Sequence, residues 1–272
     1  MNKVTITTMF EKYIESINNP FIKETIKLYD RKDREKRGLF VIEGRKELSL
    51  ALKYNVQMEH LFYCLEIIDE EGKKLLSSIP SLPKTKVSTK VFEKIAYRGT
   101  TEGLLGIAIQ PCRKLDDIST QKSFVIILEK MEKPGNIGAI LRTANAAGAD
   151  AVIVCDEISD IYNPNVVRTS LGGLFATPTV QSTTDQTIAW LKKNSFSIIA
   201  STPSASYLYN QIPLQENIAV AIGSEKDGLS EPWLREAHYK VLIPMVGEVD
   251  SLNASVSAGI LIYQYSKKIL HN

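Results

Sequence analysis

Thiol chemistry has little to work with in this chain. Its 272 residues include three cysteines, Cys64, Cys112 and Cys155, far apart and odd in number, with no CxxC pair. That excludes a disulfide framework and a thiolate zinc site, and free thiols fit a reducing cytoplasm. The three histidines, His60, His238 and His271, do not cluster, so no metal is expected. Long apolar runs are also missing. The strongest, such as FVIIL at 124–128, fall far short of the ~20 residues of a membrane span. The first twenty residues lack a continuous apolar core and carry Glu11 and Glu15, which excludes a signal peptide. The sequence therefore predicts a cytoplasmic protein with no membrane association. Net charge is only +2, so the whole molecule is no polycation and charge has to be read locally.

What is present is an ordinary globular mixture, 44% hydrophobic and 24% charged. The length suits one large domain or two ordinary ones. Residues 21–46 hold nine Lys or Arg against five acids, an excess of four. Arg31, Arg34, Arg37 and Arg45 belong to this window. Such a stretch is either a solvated helix face or a phosphate-facing patch.

Residues 21–110 alternate short helical and strand-like signals, as a small α/β unit does. FIKETIKLYDRKDREKRG reads as one helix ended by Gly38. Phe21, Tyr29 and Phe40, as isolated aromatics, are expected to pack. PCRKLDDISTQK, 111–122, is polar and opens on proline, which reads as a linker. Beyond it, apolar runs at 123–129, 151–156, 196–201, 218–224 and 239–244 suit strands covered on both faces. Helical spacing lies between them, at 136–147, 185–193 and 255–270. This alternation predicts a mostly parallel α/β sheet, with ligands beyond the C-terminal ends of its strands.

Three strand exits carry unusual chemistry. In EKMEKPGNIGAILRTANAAGAD, 129–150, Pro134 and Gly135 suit a turn and Asn136 suits a helix cap. Gly138 lets backbones approach, and Arg142 follows six residues after Asn136. In AIGSEKDGLSEPW, 221–233, glycines flank Glu225, and Ser230 with Pro232 suits a helix start. Those glycines fit a close ligand or a tight connection equally. In LIPMVGEVDSLNASVSAG, 242–259, Ser251, Asn253 and Ser255 precede an apolar helix. They serve either as caps or as groups around a ligand. Neither GxGxxG nor GxxxxGK[ST] is met, which removes a dinucleotide-dependent oxidoreductase.

Taken together, NIGAILRTANAAGAD, IGSEKDGLSEPW and IPMVGEVDSLNASVSAGI resemble the three signature motifs of the SpoU/TrmH family of RNA ribose 2'-O-methyltransferases, in the SPOUT superfamily. They stand in the family's order and spacing, and the resemblance spans roughly 123–270. The stretch NPFIKETIKLYDRKDREKRGLFVIEGRKELSLAL resembles the substrate-binding domain, of ribosomal-protein-L30e-like fold, that many members carry. Ala254 and Ser257 stand where members often have Val and Ala.

The resemblance implies an α/β fold with a C-terminal parallel-sheet SPOUT domain (123–272) closed by a deep trefoil knot. A linker (111–122) and a small N-terminal L30e-like α/β domain (1–110) that holds RNA would complete the chain. It implies a homodimer that uses S-adenosylmethionine to methylate a ribose 2'-hydroxyl in RNA. The two-domain layout resembles members acting on 23S ribosomal RNA. A tRNA enzyme, or a non-catalytic RNA-binding ribosome assembly factor, is the alternative. By motif position the catalytic residues would be Asn136, Arg142, Glu225, Ser251 and Asn253. Arg168, in NPNVVRTSLGGLF, would meet RNA alongside Arg31, Arg34, Arg37 and Arg45. The cofactor would lie on Ser201, Thr202, Ile222, Gly223, Ser224, Glu225, Gly228 and Leu229. Ile243, Pro244, Met245, Ser251, Leu252 and Asn253 would complete that pocket. Arg142 is expected as an electrostatic stabiliser rather than a base, since arginine stays protonated.

Overall fold

A computed structural model describes residues 13–97 and 102–266. The reading of residues 1–12 as leader-free and the expected helical end 267–270 lie outside them. The chain divides into two compact units, the first ending at Gln110 and the second beginning at Pro111.

The first unit runs β1 (Tyr13–Ile14), α1 (Pro20–Lys27), α2 (Arg31–Arg37), β2 (Leu39–Glu43), α3 (Arg45–Lys53) and β3 (Met58–Tyr63). It continues with α4 (Glu70–Ser78), β4 (Lys84–Val87), α5 (Thr89–Ile95) and β5 (Leu104–Ile109). Its sheet has the order β1-β4-β3-β5-β2, with β5 antiparallel to both neighbours and the other pairs parallel. The single helix expected over 21–37 is two. Asn19 and Pro20 start the first, and the Asp30 carboxylate accepts the Lys32 amide at 2.8 Å, starting a second. A capping acid in mid-pattern outweighs continuous helical spacing. Gly38, at φ 62°, ends it. Phe40 is buried, Phe21 packs against His60 and Phe62, and the Tyr29 hydroxyl donates to the Ile95 carbonyl.

The second unit opens with a 3-10 turn at Leu115–Asp117, and Ile118 is buried in its core. Then come β6 (Phe124–Glu129), α6 (Pro134–Ala146), β7 (Ala151–Cys155), α7 (Pro164–Thr169), α8 (Gly173–Ala176), β8 (Thr179–Ser182) and α9 (Thr184–Lys193). The unit finishes with β9 (Ser197–Ser201), β10 (Tyr207–Leu208), β11 (Ile218–Ile222), α10 (Glu231–Glu236), β12 (Tyr239–Leu242) and α11 (Ala254–Tyr265). All its strands are parallel, in the order β10-β12-β9-β11-β6-β7-β8. The protein is thus an α/β protein with a parallel sheet.

Every residue of β6, β7 and β11 is buried, as a strand between two helical layers must be. Side chains alternate between the faces. Val125, Ile127, Ala151 and Ile153 pack with Ile188, Leu191 and Trp233 of α9 and α10. The opposite face meets α6 and α11. Each such Val, Leu or Ile contributes about 1.5–3 kcal/mol by burial, which fixes the strand ends from which the polar loops leave.

The outer helices close on α6 through a glycine. A Cβ at Gly138 would stand 1.9 Å from Thr169 Oγ1 and 2.8 Å from the Val166 carbonyl oxygen. Only glycine therefore lets α7 lie this close to α6.

Candidate active site

Three connections leave the same C-terminal edge of the sheet: residues 130–133 after β6, 223–230 after β11, and 243–253 after β12. β6 and β11 are direct neighbours, with Leu128 beside Ile222. The first two connections therefore start side by side.

Asn136, Glu225 and Asn253 meet there. The Asn136 side-chain amide donates to Glu225 Oε1 at 2.6 Å, and the Asn253 amide donates to the same oxygen at 3.0 Å. Asn253 Nδ2 also lies 3.3 Å from Asn136 Oδ1. Lys133 pairs with Glu225 Oε2. Asn253 keeps its own oxygen for the start of α11, accepting from Ser255 N at 3.0 Å and Ser255 Oγ at 2.6 Å. One asparagine thus caps a helix and ties two remote loops.

These contacts set the charge of the site. The Lys133 ammonium, and after it the Asn136 amide, hold the Glu225 carboxyl below the usual carboxylate range. Glu225 is therefore ionised near neutral pH with both oxygens engaged, which suits a fixed negative anchor and not a proton acceptor.

Asn136 is not the cap that its sequence context suggests. It is the third residue of α6, whose N-cap is Lys133 without a capping side chain, and Pro134 and Gly135 already lie in the first turn. The Asn136 side chain is freed for Glu225. Ser230 does stand at the N-cap of α10, but its hydroxyl donates to Glu129 instead of capping.

Arg142 lies further along α6, six residues or about 9 Å past Asn136 along the axis. It is exposed, with no ion-pair partner among the described residues. Ser251 is exposed, two residues before Asn253. Arg168 sits in α7, which packs on α6, and its Nη1 is buried without a hydrogen-bond partner among the described residues.

The residues assigned to a cofactor gather at three neighbouring strand ends. Ser201 ends β9 and Thr202 follows it, Ile222 ends β11 with Gly223 to Leu229 after it, and Ile243 to Met245 follow β12. β9 pairs with both other strands, and Thr202 N bonds the Val241 carbonyl at 3.0 Å. Ile222 and Leu229 are buried, and Ile243 and Leu252 are half-buried. The turn is tight: a Cβ on Gly223 would lie 2.0 Å from the Gly228 carbonyl carbon. Apolar side chains and exposed backbone groups fit an adenosyl ligand, which needs flat apolar contact and few hydrogen bonds.

The basic residues of the first unit divide sharply. Arg34 is buried, 1% exposed, and donates to the Leu28 carbonyl at 2.9 Å. It serves the core, and the expectation that it meets RNA is corrected. Arg31 pairs with Glu35 at 2.6 Å, Arg37 with Glu24 at 3.6 Å and Arg45 with Asp69 at 2.8 Å, all partly exposed. Such surface pairs are worth about 0–1 kcal/mol, so a phosphate can displace them. The first unit carries a net charge of +4 and the second −2.

The site-building residues not foreseen from sequence are Lys133 and Glu129. Their one signal was position: a lysine just before a helix-starting proline, and an acid closing an apolar strand.

Among the described residues, no group of three His, Cys, Asp or Glu is placed to hold a metal ion. Nor is any helix among them long and apolar enough to cross a membrane.

A parallel α/β sheet with a polar clasp at its C-terminal edge defines a protein that handles a ligand at its strand ends. The chain belongs to the SpoU rRNA methylase family, whose profile matches residues 123–263, and an MRM3-like substrate binding domain matches residues 19–106. It is similar to the 23S rRNA (guanosine(2553)-2'-O)-methyltransferase RlmP of Bacillus subtilis, at 28% identity over 93% of this chain and 98% of that protein. A solved RNA 2'-O ribose methyltransferase is 35% identical, covering 96% of this chain and 100% of that one, with a TM-score of 0.83. The AdoMet-bound rRNA methyltransferase of Sinorhizobium meliloti is 29% identical over 93% and 96% of the two chains, with a TM-score of 0.85.

Proposed function

We propose that this chain methylates a ribose 2'-hydroxyl of 23S ribosomal RNA, with S-adenosylmethionine as the methyl donor. The observation that carries the reading is the clasp of Asn136, Glu225 and Asn253. It joins three connections that are remote in sequence around one strand edge.

Bound there, the cofactor supplies an electrophilic methyl group on a sulfonium. The chain's own work is orientation. Backbone groups at 201–202, 222–229 and 243–245, with Ser251 and Leu252, would hold the ligand so that its methyl faces the RNA. Asn136, Glu225 and Asn253 fix the three segments relative to one another and act as positioning residues. Loss of the 2'-hydroxyl proton to phosphate or water builds negative charge on the oxygen, which is spent as its new bond to the methyl group replaces the methyl–sulfur bond. Arg142, exposed and uncommitted, is the group to stabilise that charge. Glu225 is a poor candidate for the base because its oxygens are already occupied.

The first unit, residues 1–110, would hold RNA through Arg31, Arg37 and Arg45, with 111–122 leading into the catalytic part, and its mixed sheet is compatible with an L30e-like fold. Its positive balance supports this division. A deep trefoil knot is in keeping with α11 packing on α6 and β11, across the middle of the sheet. A homodimer is supported by Val256 and Tyr263, 50% and 49% exposed and seven residues apart on α11. Arg168, whose Nη1 has no hydrogen-bond partner among the described residues, would serve RNA at a site shared between protomers. A ribosomal RNA substrate implies work in the cytoplasm.

The test is transfer of labelled methyl from S-adenosylmethionine to purified 23S rRNA and tRNA, followed by mapping of the modified nucleotide. Label on tRNA alone would replace the ribosomal reading. No label on either, with rRNA still bound, would favour an assembly factor.

A further inference from the structure

Glu129 is a carboxylate buried at the end of the central strand β6, 1% exposed. It has no ion-pair partner among the described residues. Instead it takes three donors. Thr184 Oγ1 donates to Oε1 at 2.9 Å, Ser230 Oγ donates to Oε1 at 2.5 Å, and Ser230 N donates to Oε2 at 2.7 Å. Thr184 Oγ1 in turn accepts from Trp233 Nε1 at 3.2 Å. Ser230 N–H can only donate, and Thr184 Oγ1, which already accepts from Trp233, has its own hydrogen free for Glu129, so the two carboxylate oxygens take all three contacts. Burying a carboxyl group is costly, and an apolar residue would cost less if packing were the only need.

What the carboxylate holds is the far end of the loop that bears Glu225. At the near end, Ile222 is paired with Leu128 of the same strand. The loop folds on itself, with Gly228 N bonding the Ser224 carbonyl at 3.1 Å and Asp227 N bonding Ser224 Oγ at 3.0 Å. It then returns to β6 at Ser230. The segment 129–136 therefore grips loop 223–230 twice: Glu129 at its exit, Lys133 and Asn136 at Glu225.

We infer that Glu129 is a positioning residue of the methyl-transfer site: it pins the exit of the 223–230 loop, and so sets where Glu225 and the cofactor-facing backbone stand. The inference rests on the proposed activity for its consequence, and on geometry alone for the pinning. Glu129→Gln leaves one accepting oxygen where there were two and sets an NH2 against the Ser230 or Thr184 hydroxyl, so the loop exit is held more weakly. Ser230→Ala is the milder variant, removing one donor and leaving the carboxylate. Asn217→Ala is the control. Asn217 side-chain atoms hold Ser123 N at 3.0 Å and the Thr120 carbonyl at 2.9 Å, at the opposite end of β11.

The experiment uses the full chain. Amide hydrogen exchange over 224–229, calorimetric S-adenosylmethionine affinity, thermal unfolding, and kcat and KM for rRNA are measured in all variants. Pinning predicts faster exchange over 224–229 in Glu129→Gln and Ser230→Ala, but not in Asn217→Ala at a matched loss of Tm. It also predicts weaker S-adenosylmethionine affinity and a kcat lowered by about 10²-fold in Glu129→Gln, the scale of a small misplacement, with the KM for RNA unchanged. Unchanged loop exchange and affinity in both variants, with only Tm lowered, would make Glu129 a packing residue and overturn the inference; if Glu129→Gln does not fold, Ser230→Ala decides alone. A wild-type chain that fails to bind S-adenosylmethionine would count against the proposed activity, while the exchange data would still judge the pin.

Discussion

Asn253 reaches back across 117 residues of sequence to place its amide 3.3 Å from Asn136 Oδ1, while its own oxygen caps α11. The two duties can be separated by substitution. Asn253→Asp keeps a capping oxygen but loses both amide hydrogens and sets a second carboxylate beside Glu225. The expected result is a helix start of near-native stability with methyl transfer down by about 10²-fold. Asn253→Ala loses the cap as well, costing about 1 kcal/mol and lowering Tm by about 2–4 °C. Thermal unfolding and single-turnover transfer, measured together, check both.

Arg142 offers the reverse pattern. It is exposed, with no ion-pair partner among the described residues, so Arg142→Ala should leave Tm unchanged, and S-adenosylmethionine affinity with it. Loss of a charge-stabilising donor should lower the rate by about 10²–10³-fold. Arg142→Lys assayed across alkaline pH distinguishes stabilisation from base chemistry. A rate that climbs as the lysine deprotonates would refute the stabilising role.

In the first unit, Arg34 and its neighbours should behave as two classes. Arg34→Met removes a buried donor from the Leu28 carbonyl and should cost stability, about 1–3 kcal/mol. Arg31→Ala, Arg37→Ala and Arg45→Ala should barely move Tm. Each should weaken RNA binding whatever the sequence and lower the salt slope by about 1. Filter binding over a range of salt concentrations reads this directly.

Acid should loosen the clasp. The Glu225 carboxyl titrates lower in the folded protein than in the unfolded chain, chiefly through Lys133. Its contribution is therefore full above the ordinary carboxylate range and is lost as pH falls through the lowered folded value. S-adenosylmethionine affinity should hold at neutral pH and fall on strong acidification. Lys133→Met should move that fall to higher pH, as isothermal titration at stepped pH would reveal.

The sequence made the long buried strands easy to read. FVIIL, AVIVC and IAVAI are continuous apolar runs, and β6, β7 and β11 follow them closely. Short or polar pieces left no such mark. Thr179–Ser182 and the two-residue β1 and β10 are strands because a neighbour offers them a ladder, not because of their own pattern. The candidate site was legible as three polar loops, yet the work of each side chain was not. Asn136 and Ser230 both look like helix caps locally. Tertiary partners, Glu225 for one and Glu129 for the other, claim their polar atoms instead. Arg34 sat among solvated-looking charges and proved buried, because burial is decided by neighbours remote in the chain.

Because Asn253 completes the clasp, the site is finished only after the last strand of the parallel sheet, β12, has been made. A polypeptide stopped at residue 250 already contains every described strand of its parallel sheet, but not α11, which packs on β11 and α6. It also lacks the last tie on Glu225. During synthesis the strands therefore precede both the helix that covers them and the tie that completes the site.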